Sequence, residues 1–86
     1  MDPAHIKQLI ESGLDGARAR VRGDDGVHFE ADVVCAAFSG KLPLARHRMV
    51  YATLGERMGG EIHALSLNTW TPEEARGRGL DPAGSS

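Results

Sequence analysis

The feature that most constrains the fold is a segment whose apolar residues have helical spacing, located between two segments whose patterns are typical of β-strands. From Pro43 to Met58, apolar residues recur three and four positions apart, and strand-like patterns cover residues 28–36 and 62–70. A helix that joins two paired strands of one sheet makes a right-handed crossover, and those strands run parallel. If the two strands pair, they therefore begin at the same end of the sheet.

The remaining patterns add a helix and a strand before this unit and a short helix after it. The first helix begins after the capping residue Asp2, and residues 17–22 alternate between small apolar side chains and arginine. A turn at residues 23–26 makes a hairpin of the first two strands, and a capping box at Thr71 and Glu74 begins the last helix. These elements predict an α+β fold in which helices cover one face of a three-stranded mixed sheet.

The apolar stripe of the main helix predicts which of its side chains are buried. Leu44, Tyr51 and Leu54 lie on that stripe, and His47 lies among them, where a histidine is more often a structural group than a ligand. Cys35 shares the apolar face of the second strand, so we expect a small core residue rather than a nucleophile.

Length and composition limit the chain to one small domain. The 86 residues leave room for a single core, predicted over 1–76, and the Gly-, Pro- and Ser-rich residues 77–86 read as a disordered tail. One cysteine cannot form an internal disulfide, and no apolar run reaches the roughly 20 residues of a membrane span. The first residues lack the pattern of a signal peptide, so we expect a cytoplasmic protein that does not interact with membranes.

Two histidines are candidate binding residues. His28 follows a Gly/Asp turn and His63 lies near the start of the third strand, so parallel pairing would place both at one end of the sheet. Taken alone, His28 is equally well explained as a solvated histidine at the edge of a turn, and His63 would more often be an ordinary strand histidine. Their predicted placement together favours a shared role.

A set of basic residues offers a second reading, as a nucleic-acid-binding face. The opposing reading is that outward charges keep a small domain soluble, and the net charge of −2 and the lack of a Gly-x-x-Gly clamp loop weaken the nucleic-acid case. The residues of this set are Arg18, Arg20, Arg22, Lys41, Arg46 and Arg48.

No pattern in the sequence predicts catalysis. It contains no phosphate-binding loop, nucleophile elbow or metalloprotease motif. We therefore expect a protein that works by binding and is not an enzyme.

Five short stretches, in this order and at this spacing, resemble the BolA family. They cover most of the chain between its first residues and its tail. They are Gly26–Glu30 (GVHFE), Phe38–Lys41 (FSGK), Arg46–Tyr51 (RHRMVY), Ile62–Leu67 (IHALSL) and Thr71–Glu74 (TPEE).

The resemblance implies a fold, a partner and a cofactor. The fold is a variant of the KH type, and the partner is a monothiol glutaredoxin with a Cys-Gly-Phe-Ser site. The two proteins would share a [2Fe–2S] cluster, with glutathione as a further ligand. On this side the ligands would be a loop residue, here His28, and a histidine at the third strand, here His63. A nucleic-acid-binding transcriptional regulator is the alternative.

Overall fold

The computed structural model describes residues 1–79 and contains one three-stranded sheet in the order β1-β2-β3. Strands β1 and β2 are antiparallel, and β2 and β3 are parallel, which confirms the predicted mixed sheet and βαβ unit. The elements are α1 (Pro3–Gly13), β1 (Arg18–Arg22), β2 (His28–Val34), a 3-10 turn (Ala36–Phe38), α2 (Pro43–Leu54), a second 3-10 turn (Gly55–Arg57), β3 (Ala64–Trp70) and α3 (Pro72–Gly77).

Helices α1 and α2 pack on the same face of the sheet. Alternate residues of β2, namely Phe29, Ala31 and Val33, are buried beneath them. The helices also pack closely on each other: a Cβ added at Gly13 would lie 2.7 Å from side-chain atoms of Thr53. Only glycine fits at this crossing. The core also contains Ile6, Ile10, Ala19, Cys35, Phe38, Val50, Leu54 and Ile62.

The prediction for the buried face of α2 is wrong at two of its three residues. Leu54 is fully buried, as expected, but Leu44 is 63% exposed and Tyr51 is 37% exposed. Val50, one turn before Leu54, is buried instead. Leucine, valine, methionine and tyrosine lie on several sides of this helix, so its spacing does not single out one face, and packing against α1 and β3 decides which side is covered.

Some element ends also differ from the sequence-based boundaries. Helix α2 stops at Leu54 rather than Met58, because Gly55 takes a left-handed φ of 55° that breaks the helix. Strand β3 begins at Ala64 rather than at residue 62. Residue 77, where the tail was predicted to begin, is the last residue of α3, and residues 80–86 lie outside the described residues.

Helix α3 begins with the predicted capping box. The Glu74 amide donates to Thr71 Oγ1 at 3.1 Å, and the Thr71 amide donates to Glu74 Oε1 at 2.9 Å. The same carboxylate accepts hydrogen bonds from the guanidinium of Arg46 on α2, the shorter at 2.8 Å. This ion pair ties α3 to α2.

Within residues 1–79, no helix is long and apolar enough to cross a membrane.

Candidate functional site

His28 is the first residue of β2 and is held by the turn that precedes it. The side chain of Asp25 accepts the backbone amides of Val27 and His28 through Oδ1, at 2.9 and 2.8 Å. Its second oxygen, Oδ2, lies 2.8 Å from His28 Nδ1. Gly26 has a φ of 73°, which lets the chain reverse between the two residues. The His28 side chain is nevertheless 72% exposed, so its ring is fixed at one nitrogen and open at the other.

The same contacts stabilise the charged form of Asp25. The hydrogen bond to the His28 side chain, followed by the two backbone amides, holds the pKa of the Asp25 carboxyl well below its usual range. Asp25 is therefore a carboxylate at neutral pH, with both oxygens occupied as acceptors. The sequence predicted only a turn at Asp25, because the contact with His28 also requires the left-handed backbone at Gly26, which residue spacing does not specify.

His63 is positioned by the loop that leads into β3. Ile62 is fully buried, its amide donates to the Arg57 carbonyl at 2.9 Å, and its carbonyl accepts the Gly59 amide at 2.8 Å. The chain is thus anchored immediately before His63, whose side chain is exposed. Since β3 begins at Ala64, His63 lies just outside the strand rather than within it.

The parallel register brings the two histidines to one end of the sheet. His28 pairs with Ala64, the residue after His63. They are not equivalent in their surroundings: His28 lines an open groove of about 630 Å³ on the sheet face that α1 and α2 leave uncovered, beside Arg22, Glu30 and Ser66. His63 does not line that groove.

This end of the sheet supplies an incomplete set of metal ligands. Among residues 1–79, no three or more His, Cys, Asp or Glu side chains are grouped so that they could hold an ion. Cys35 does not contribute, because it is buried and its Sγ lies 3.7 Å from the Asp15 carbonyl oxygen, as expected for a core residue. Two exposed imidazoles fit a metal centre only as part of a shell that other molecules complete.

The six basic residues do not form one surface. Arg18, Arg20 and Arg22 project from β1 on the sheet face opposite the helices, because Ala19 between them is buried beneath α1 and α2. Lys41 and Arg48 are exposed on the helix side of the sheet, before and on α2.

Two of the six cations are occupied by contacts within the chain. Arg22 pairs with Glu30 at 2.9 Å and with Asp32 at 3.1 Å. The Arg46 side chain is only 12% exposed and forms an ion pair with Glu74. Its guanidinium also donates to the carbonyl oxygens of Lys41 and Thr69 and lies 5.9 Å from the centre of the Phe38 ring. Arg46 thus connects α2 to β3 and α3, a role that the sequence did not reveal because Thr69 and Glu74 are distant in the chain.

The chain is similar to known proteins over most of its length. The profile of the family described as BolA-like protein matches residues 1–74. BolA-like protein 1 of Homo sapiens is 35% identical over 82 residues, which are 85% of this chain and 60% of the relative. A protein of Escherichia coli named DNA-binding transcriptional regulator BolA is 44% identical over 69 residues, covering 80% of this chain and 66% of the relative.

The fold is shared as well. The structure of a BolA protein homologue from Coxiella burnetii has a TM-score of 0.82 and 49% sequence identity, over 88% of this chain and 97% of the other. The chain spans about 60% of the length of the human relative and 66% of that of the E. coli relative.

Proposed function

This chain belongs to the BolA-like protein family, and we propose that it is a non-enzymatic, cytoplasmic partner of a monothiol glutaredoxin. The two proteins would share a [2Fe–2S] cluster, completed by glutathione, in iron–sulfur trafficking or iron sensing. His28 and His63 would be the ligands from this chain.

The observation that carries the proposal is the parallel register that aligns His28 with Ala64. It sets two exposed histidines at one sheet end, although they are far apart in sequence. A [2Fe–2S] centre takes four protein or thiol ligands, and two histidines can replace two cysteines. In the part of the chain that the structure describes, no three or more His, Cys, Asp or Glu side chains are grouped so that they could hold a metal. A cluster at this end of the sheet would therefore need thiolates from a partner. The experiment is co-purification with the glutaredoxin and glutathione, followed by visible absorption.

Replacing His28 with cysteine is expected to retain a cluster and lower its potential. Plant-type clusters with four cysteines lie near −400 mV, whereas clusters with two histidines lie at about −150 to +300 mV, so one exchange should lower the midpoint by roughly 100 mV or more. The measurement is a redox titration of the mixed complex. His28→Ser, which has the same size as cysteine but no thiolate, is the control and should lose the cluster. An unchanged potential in His28→Cys would argue against ligation by residue 28.

A second candidate function is nucleic-acid binding, favoured by the name of the E. coli relative, DNA-binding transcriptional regulator BolA. Exposed cations are available on both sides of the sheet, and Arg18, Arg20, Lys41 and Arg48 form no ion pair among the described residues. They are divided between two surfaces, however, and the net charge of the chain is −2. Both facts limit the attraction to phosphate.

We therefore expect the isolated chain to bind duplex DNA only weakly at physiological salt. The dissociation constant should lie in the non-specific range of about 10⁻⁴–10⁻⁶ M and rise steeply with salt. Fluorescence anisotropy with labelled duplexes of unrelated sequence would measure it. Sequence-specific binding at about 10⁻⁸ M or tighter would contradict this expectation and favour the regulator function.

A further inference from the structure

The contact between Asp25 and His28 has a consequence for the chemistry of the imidazole ring. Asp25 Oδ2 lies 2.8 Å from Nδ1, which is a hydrogen-bonding distance. A carboxylate can only accept hydrogen bonds, so Nδ1 must carry the proton. In a neutral imidazole the other nitrogen, Nε2, then holds the free lone pair.

We propose that Asp25 is a positioning residue that fixes His28 in the Nδ1–H tautomer and so makes Nε2 its metal-binding atom. The inference rests on the proposed function for the metal, but the tautomer itself is a property of the isolated chain. A hydrogen bond from the remote nitrogen of a ligating histidine to a carboxylate is a common device in metal sites, since it orients the ring and raises its basicity.

The turn geometry makes this arrangement specific to Asp25. Its Oδ1 is held by the amides of Val27 and His28, which leaves Oδ2 directed at the ring. The neighbouring Asp24 is also exposed and lines the groove beside His28, but has no hydrogen bond to the ring among the described contacts. Asp24 is therefore a matched control for charge near the histidine.

The test is the tautomer of His28 in the isolated chain, measured by nitrogen-15 NMR. The measurement is made at a pH above which the nitrogen-15 shifts of the ring no longer change, so that the ring is neutral. The wild-type chain is expected to show the Nδ1–H form. In Asp25→Asn the amide oxygen can still accept the turn amides, but the NH₂ group then faces Nδ1 and donates to it. This variant should therefore reverse the tautomer to Nε2–H.

Asp24→Asn should keep the wild-type tautomer. If Asp25 only stabilised the turn, the tautomer of His28 would be the same in Asp25→Asn as in the wild-type chain. That result would overturn the inference. A wild-type chain in the Nε2–H form would overturn it too.

A second measurement connects the tautomer to ligation. In the mixed complex, Asp25→Asn should weaken cluster retention by about 10–100-fold, the usual effect of losing such a partner, while Asp24→Asn should not. Equal retention in the two variants would overturn the role of Asp25 in ligation. If the wild-type complex held no cluster, the proposed function and the metal-binding role of Nε2 would fail, whereas the NMR result would still decide whether Asp25 sets the tautomer.

Discussion

Replacing His63 with alanine is expected to abolish the visible spectrum of the cluster in the complex with the glutaredoxin. His63 is one of two exposed histidines at this end of the sheet, and alanine has no atom that can bind iron. The chain then supplies one ligand instead of two. Because the side chain is exposed and follows the buried anchor Ile62, the fold should be unaffected, with a stability change within about 0.5 kcal/mol.

His5→Ala is the matched control for this experiment. His5 is also an exposed histidine, but it lies in the first turn of α1, outside the candidate site. Both variants should show the wild-type thermal midpoint, and only His63→Ala should lose the absorption of the complex. If His63→Ala retained the spectrum, His63 would not be a ligand and most of the case for this function would be lost.

Replacing Leu54 with alanine is expected to cost about 2–5 kcal/mol of folding free energy. The side chain is fully buried in the core near the α1–α2 crossing, so its removal leaves a cavity as well as losing apolar burial. For a small domain with a total stability of about 5–15 kcal/mol, this is a large fraction. Urea denaturation followed by circular dichroism measures the loss.

Leu44→Ala provides the comparison within the same helix. Leu44 is 63% exposed, so the same chemical change should alter the free energy of unfolding by no more than about 0.5 kcal/mol. A denaturation midpoint that is unchanged in Leu54→Ala, or equal losses in the two variants, would show that the packed face of α2 is assigned wrongly.

The order and pairing of the elements could be predicted because they depend on local patterns. The alternation of apolar and polar residues identified Phe29, Ala31 and Val33 as buried. The helix between β2 and β3 indicated that these two strands run parallel. That direction was enough to place His28 and His63 at the same end. Neither conclusion required knowledge of contacts between distant residues.

The packed face of α2 and the role of Arg46 depend on such distant contacts. Apolar residues lie on several sides of α2, so only the neighbouring elements determine that Val50 is covered and Tyr51 is not. From the sequence alone, Arg46 is indistinguishable from an ordinary surface cation, because its ion-pair partner Glu74 is 28 residues away. The contact of Asp25 with His28 is local, yet it depends on the left-handed backbone at Gly26, which spacing alone does not specify.

The most direct test of the proposed function is to detect histidine nitrogen on the iron of the mixed complex. The chain would be labelled with nitrogen-15 at histidine only, combined with unlabelled glutaredoxin and glutathione, and the reduced complex examined by pulsed electron paramagnetic resonance. We expect strong nitrogen-15 couplings from two imidazoles, one of which is lost in His28→Cys, the variant that should retain a cluster. A reduced cluster with no coupling to labelled histidine would contradict the proposal that this chain shares its coordination.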